Sequence, residues 1–397
     1  MIPVCRRLKL LGRLIMVNIV VYLIVAVSKN GIQEEKEKLQ NILPHRKFWK
    51  KLSRNKGYWN KEQLKLDKLC SRTLTFVDNT TIEGNLFPNG RLVHSCEADS
   101  AVQANVKDFA NLPERFKDFL LYMKCRKYSL LIDQPHKCKR KPFLLLAIKS
   151  LSQHFIQRQA IRESWGKEVN VGNLTVVRVF LLGKMPTEDY FPDLSNIVKY
   201  ESETYKDILL WDYRDTFFNL TIKEVLFLKW VSVSCADVQF IFKGDDDVFV
   251  NTHLMLDYLK GLSIDRASDL FIGDVIEKAS PLRDNKLKYY IPKSVYEGSY
   301  PPYAGGGGFL FSGKLALRLY NVTHQILLYP IDDVYTGMCL RKIGLRPEKH
   351  NGFKTFDIGE KQKKNVCSYK NLMLVHSRGP QEMIKIWTFL QDPHLKC

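Results

Sequence analysis

Residues 240–250 read FIFKGDDDVFV, and the interpretation of this stretch decides the fold. An apolar run stops at three consecutive aspartates, Asp245, Asp246 and Asp247, and resumes at Val248. Removing carboxylates from water costs on the order of several kcal/mol each unless positive charge offsets it. Two arrangements meet that demand: an exposed strand end, or a bound cation. An Asp-x-Asp at a strand end sends two carboxylates to the same side, because side chains alternate along a strand. Oxygen-rich groups of this kind suit hard divalent cations, Mn2+ or Mg2+. A cation so held can also take diphosphate oxygens and stabilise charge on a departing nucleotide.

Outward from this stretch the pattern alternates between strands and helices. KPFLLLAIKS (141–150) carries a five-residue apolar run after a proline and predicts a buried first strand. HFIQRQAIRESWG (154–166) predicts a helix stopped at Gly166, and TVVRVFLLG (175–183) a second strand. A long helix is expected over about 220–234, and the apolar spacing of LPERFKDFLLYMKC (112–125) suits an amphipathic helix. Such alternation implies a layered α/β fold with a mostly parallel sheet, in which ligands bind at the carboxyl ends of strands. The aspartates follow one such end.

Two further motifs stand out. In YPIDDVYTGMCL (329–340), Asp332 and Asp333 again abut apolar residues. One carboxylate there is suited to act as a general base on a hydroxyl, or as the N-cap of a following helix. YAGGGGFLFSG (303–313) offers four glycines that permit close backbone approach to a ligand, and its aromatic flanks argue for a shaped wall over a linker. Neither GxGxxG nor a phosphate-cradling helix start is present, which excludes a nicotinamide site. The lack of HxH, HExxH or a second Asp/His cluster argues against a phosphoesterase.

The compartment is written at the N-terminus. Arg6, Arg7 and Lys9 precede LLGRLIMVNIVVYLIVAV (10–27), long enough to span a bilayer and without a convincing cleavage site. This predicts a cytosolic tail (1–9), a signal anchor (10–27) and a luminal remainder. A charged, weakly patterned stem is expected over 28–65, a cysteine-containing region packed on the core over 66–139, and the main domain over 140–397. Sequons lie at Asn79, Asn173, Asn219 and Asn321. Cys5 falls on the cytosolic side; the other eight cysteines could form up to four disulfides, with one or two buried free thiols expected. The formal charge of +19 is scattered, without a nucleic-acid motif, and a luminal chain meets no nucleic acid. Attraction to anionic nucleotide-sugars or glycans fits the charge better.

RQAIRESWG (158–166), FKGDDDVFV (242–250), YAGGGGFLFSG (303–313) and IDDVYTGMCL (331–340), in this order, resemble the β-1,3-glycosyltransferases of glycosyltransferase family 31. The resemblance covers roughly residues 140–380. It is nearest to those members that add β-1,3-linked N-acetylglucosamine to N-acetyllactosamine chains. It implies an α/β, GT-A-type (Rossmann-like) nucleotide-diphosphosugar fold with a mostly parallel central sheet and flanking helices. It further implies UDP-GlcNAc as donor, a divalent metal and an inverting displacement. The acceptor would be a galactose-terminated glycan on glycoproteins or glycolipids. The setting would be the Golgi membrane, single-pass type II, with homo- or hetero-oligomers among glycosyltransferases. The alternatives are a β-1,3-galactosyltransferase or an inactive glycan-binding relative.

Carried over position by position, the resemblance makes Asp333 the base. Asp245, Asp247 and His376, the last in LMLVHSR, become the metal group. Donor contacts fall to Lys149, Arg158, Arg162, Asp215, Asp245 and Asp246. Tyr303, Gly305, Gly306, Gly307 and Asp332 form a wall beside donor and acceptor. Arg158 and Arg162, four apart on one helix, would share a face toward the diphosphate.

Overall fold

In the computed structural model, Leu144 to Lys149 are all buried, because this strand has neighbours on both edges and layers on both faces. The structure describes residues 45–52, 55–73, 96–171, 174–185, 192–394 and 396–397. The strands are β1 (Leu130–Ile132), β2 (Leu144–Lys149), β3 (Val169–Val171), β4 (Leu174–Lys184), β5 (Ile208–Arg214), β6 (Phe240–Asp245), β7 (Val248–Val250), β8 (Phe271–Ile276), β9 (Tyr303–Ser312), β10 (Glu348–Lys349), β11 (Phe353–Lys354) and β12 (Leu374–His376). The helices used below are α1 (Tyr58–Thr73), α2 (Glu114–Tyr122), α3 (Phe155–Glu163), α4 (Ser195–Tyr205), α5 (Leu220–Ser234) and α6 (Asp332–Lys342).

The main sheet runs β1-β5-β4-β2-β6-β9-β8-β10, with β3 also on β4. Strands β5, β4, β2 and β6 are mutually parallel; β9 runs antiparallel between β6 and β8. This is the mostly parallel α/β sheet with flanking helices that the strand–helix alternation predicts. A second, small sheet orders β11-β12-β7. It supports the chain just after the aspartates, because β7 pairs with β12.

The predicted elements at 112–125, 141–150, 154–166, 175–183 and 220–234 appear as α2, β2, α3, β4 and α5. The glycine stretch, read as a shaped wall, is a strand: it forms β9, with Tyr303 to Ser312 laid between two strands. Neither acid of 332–333 is an N-cap; Ile331 takes that position, and both acids fall in the first turn of α6. They still complement the positive end of the helix dipole there.

The expected stem ends too late in the sequence. Trp59, Asn60, Gln63 and Leu66 of α1 are buried. Trp59 Nε1 donates to the Leu328 carbonyl at 3.0 Å, and Gln63 Nε2 donates to the Gln325 carbonyl at 2.9 Å. Backbone contacts group Leu52 to Cys397 as one unit, and before it the described residues form part of the helix His45–Leu52. Disulfides join Cys96–Cys125, Cys138–Cys235 and Cys367–Cys397, and Cys339 is a buried free thiol. No helix among the described residues is long and apolar enough to cross a membrane. The anchor expected at 10–27 lies outside the described residues, as do the tail at 1–9 and the sequons Asn79 and Asn173.

Candidate active site

Strand β6 ends at Asp245, and Asp246 and Asp247 make the turn into β7. The three carboxylates part company at this turn. Asp246 is buried and its Oδ2 lies 2.9 Å from His154 Nδ1, just ahead of α3. Asp245 and Asp247 instead converge with His376 of β12: one ligand atom from each lies within 4.8 Å of the others. The pairing of β7 with β12, which sets His376 opposite Val248, delivers this histidine to the aspartates. His376 Nδ1 lies 2.9 Å from the Thr355 carbonyl and donates its proton there, which turns Nε2 toward Asp247 Oδ1 at 3.3 Å.

That donor set fits a hard divalent cation: two carboxylate oxygens and one imidazole nitrogen, with room for further oxygens from solvent or a ligand. Hydrogen bonding to Asp247 raises His376 to about 9. Burial opposes ionisation of Asp247, but the His376 contact outweighs it and holds this carboxyl below its ordinary value. A cation held here would replace the imidazolium proton, since a histidine binds a metal in its neutral form.

The second acid pair lies alongside. Lys149 is the last residue of β2, in parallel register with Asp245. Its ammonium bridges Asp245 Oδ1 at 2.9 Å and Asp332 Oδ2 at 3.0 Å. The two acidic motifs, 87 residues apart in sequence from Asp245 to Asp332, are thus joined through one buried lysine. Burial works against the Lys149 charge, and the surrounding aspartates overcome it and raise its pKa well above the ordinary value. Asp332 is held below its usual range because Lys149 and Lys243 outweigh its burial.

Asp333 is different. Its Oδ1 is buried without a hydrogen-bond partner, and its carboxyl is pushed up to about 8 by burial first and by the Asp332 charge second. A partly buried carboxylate with one enclosed, unpartnered oxygen beside a candidate cation site is suited to take a proton from a bound hydroxyl.

The glycines of β9 explain how these parts come so close. A methyl at Gly306 would lie 3.0 Å from Asp333 Oδ2, and one at Gly305 2.6 Å from Thr355 Cγ2. At Gly307 it would meet Leu374 and the His376 side chain. Gly308, at φ +150°, adopts a backbone that other residues avoid. The wall is therefore a glycine strand, with half-buried Tyr303 at its start; burial and the Asp333 charge raise the Tyr303 hydroxyl to about 12.

The expected basic face of α3 is not there. Arg158 is fully buried: Nε and Nη2 donate to the two oxygens of Glu201 in α4 at 2.9 and 2.7 Å. Its other donors reach Ser150 Oγ and the carbonyls of Leu151 and Ser152. Arg162 forks onto Asp207 at 2.9 Å twice. Both guanidiniums are spent inside the protein, and Arg158 braces the loop that follows Lys149. Asp215 is likewise buried, with Lys223 Nζ at 2.9 Å and the Gly183 N–H at 2.8 Å from its Oδ2. Lys223 in turn donates to the Ser150 carbonyl, so Asp215 steadies the same loop from below. Asn219 is buried, and its amide donates to the Arg214 carbonyl at 2.8 Å; Asn321 is exposed.

Sequence reasoning passed over Lys243, Glu224, His154 and Thr355. Lys243 is buried 3.9 Å from Asp332 and paired with buried Glu224, and burial lowers it to about 8. The signal was present: a lysine inside FIFKGD, and a glutamate inside the apolar helix TIKEVLFLKW. His154 and Thr355 carry no such signal, because only tertiary contacts give them a role.

Known proteins resemble this chain in sequence over most of its length. A family profile described as Galactosyltransferase matches residues 156–351. The chain is 65% identical over 392 residues to N-acetyllactosaminide beta-1,3-N-acetylglucosaminyltransferase 2 of Mus musculus, and 64% identical to the protein of that name from Homo sapiens. Each alignment covers 99% of both chains. UDP-GlcNAc:betaGal beta-1,3-N-acetylglucosaminyltransferase 7 of Rattus norvegicus is 42% identical over 73% of this chain and 74% of its own. Among solved structures, a glycosyltransferase involved in glycosylation of the major capsid of PBCV-1 overlaps at a TM-score of 0.34 with 13% identity, covering 62% of this chain and 99% of that one. The chain therefore belongs to the galactosyltransferase family, glycosyltransferase family 31.

Proposed function

We propose that this protein transfers N-acetylglucosamine from UDP-GlcNAc to the 3-hydroxyl of a terminal galactose on N-acetyllactosamine-type glycans, with inversion, and so extends polylactosamine chains. The observation that carries this reading is the single Lys149 bridge between the cation group and the acid pair. Such a bridge supports reading the two motifs as one site, with a diphosphate held at one end and a proton accepted at the other. The names of the most similar relatives support the donor and the linkage.

Asp245, Asp247 and His376 would hold Mn2+ or Mg2+, which supplies Lewis-acid stabilisation of the departing diphosphate. Asp333 takes the proton from the acceptor hydroxyl as that oxygen attacks the anomeric carbon from the side opposite UDP. The Gly305–Gly307 wall carries no side chain that would come between a sugar and Asp333. Lys149 holds Asp332 in its charged form, counters the burial that raises Asp245, keeps the two at a fixed spacing and offsets negative charge as the donor arrives. His154 holds Asp246 away from the cation group, where it can meet the donor's ribose. Arg158, and Asp215 through Lys223, serve the donor indirectly by fixing the Ser150–Ser152 loop, and Arg162 braces the Glu201 that pairs with Arg158.

The charged N-terminal run followed by an apolar span, and the three disulfides, support residence as a single-pass type II protein of the Golgi membrane with a luminal catalytic body. The test is transfer by the full-length chain in detergent, with UDP-GlcNAc or UDP-Gal and a lactosamine acceptor, before and after complete chelation. Transfer is expected from UDP-GlcNAc, only with metal. Activity that survives chelation, or that uses UDP-Gal alone, overturns the reading.

A further inference from the structure

We infer that Asp274, in β8, is a positioning residue for the cation group, acting on His376 through the backbone of Thr355. This inference rests on reading Asp245, Asp247 and His376 as a metal site. Asp274 touches none of the three, and its side chain is 16% exposed. Its Oδ2 accepts from the Thr355 N–H at 3.2 Å, and its Oδ1 faces Lys349 Nζ at 3.5 Å. Thr355 comes directly after β11, and its carbonyl is the acceptor for His376 Nδ1 at 2.9 Å.

The local packing shows why an outside anchor is needed. The Thr355 hydroxyl is buried without a partner, so the side chain makes no hydrogen bond that would hold the residue. That side chain is pressed against Gly305, where a methyl would approach within 2.6 Å. Strand β11 pairs with β12 only through Phe353 and Lys354, so pairing stops one residue short of Thr355. The Asp274 carboxylate therefore fixes this peptide from the main sheet, and His376 takes its ring angle and tautomer from the carbonyl so placed. With Nδ1–H engaged, Nε2 faces Asp247 and Asp245 as a ready ligand. Released from Asp274, Thr355 can shift and the imidazole can rotate or carry its proton on the other nitrogen. A ligand that must be reoriented on binding binds a cation less tightly.

The experiment measures Mn2+ binding to the full-length chain in detergent with UDP present, by loss of the free-Mn2+ paramagnetic resonance signal. Asp274→Ala is expected to weaken Mn2+ binding about tenfold, the usual scale for losing an outer partner of a metal-bound histidine. Its rate at saturating Mn2+ should stay within about twofold of the unaltered protein, so the defect is one of affinity. Asp274→Asn keeps an oxygen for the Thr355 N–H and should retain affinity within about threefold. Lys349→Met removes only the ion pair and should leave it unchanged. If Asp274→Ala does not fold, Asp274→Ser, too short to reach Thr355, takes its place. Unchanged Mn2+ affinity in the Ala or Ser variant overturns the inference, as does an Asn variant as weak as Ala. Failure of the unaltered protein to bind Mn2+ sinks the metal site itself, a separate result.

Discussion

The two acidic motifs are built from the same residue beside similar apolar neighbours, yet the fold gives them opposite electrostatic settings. At the turn after β6, Asp247 is half exposed and faces a histidine that favours its charge. At the start of α6, Asp333 is enclosed, has one unpartnered oxygen and sits beside another carboxylate. The first setting suits holding positive charge; the second suits receiving a proton. Chemistry is thus divided between the motifs by surroundings and not by residue type. Lys149 is what keeps them from being independent, since it contacts both.

The sharpest way to break this comparison is Asp333→Asn. Loss of a general base removes roughly 10²–10⁴ in rate, while UDP binding in Mn2+ should remain within about twofold. Normal turnover would move the base elsewhere. Stability should move in the opposite sense to activity. The carboxyl is raised from 3.8 to about 8 in the fold, so folding favours its protonated form and stability falls as pH rises through that window. Asparagine removes this penalty, and a Tm at pH 8 above that of the unaltered protein, by about 2–5 °C, is expected. A lower Tm would mean that the asparagine amide disrupts the packing.

Next in size is Arg158→Leu. Glu201 then keeps only Arg162, at 2.7 Å, so the loss is a part of the roughly 3–5 kcal/mol of a fully broken buried pair, read as a drop in the denaturation midpoint. A normal midpoint with only a raised KM for the donor would restore Arg158 to direct diphosphate contact. Asp247→Asn comes third: Mn2+-dependent UDP affinity should fall about tenfold or more, with UDP binding in the absence of metal unaltered. Equal nucleotide affinity in both forms would remove Asp247 from the cation group.

Smallest is a shift along the pH axis. Transfer should climb with pH as Asp333 ionises, reach half its maximum near 8 and level off above that. Asp332→Asn removes the like charge and should move that rise to lower pH, a change in position more than in height. A profile insensitive to residue 332 would show that the two acids do not interact during turnover.

Much of this was legible beforehand, for identifiable reasons. Periodicity located β2, β4, β6, α3 and α5, since burial on both faces of a parallel sheet leaves continuous apolar runs. The interruption by Asp245–Asp247 marked a site because charge amid apolar residues demands compensation. The α3 arginines misled for a converse reason: i,i+4 spacing shows that two side chains share a face, but not whether that face meets ligand or protein. Glu201 and Asp207, some 40 residues downstream, answer that question. The glycines were legible as a wall but not as a strand, because strand propensity disfavours them and only close tertiary contacts on β9 account for their presence.

By itself the sequence determined the layered fold, the residue types of both acidic motifs and the apolar N-terminal span, all of which follow from local hydrophobic pattern. Tertiary structure alone decided which aspartate joins His376, which is left protonatable, and which cations are spent on structure. The reason is physical: hydrophobic pattern is a property of neighbours along the chain, whereas a carboxyl's charge depends on neighbours in space, here brought together by one lysine and a strand of glycines.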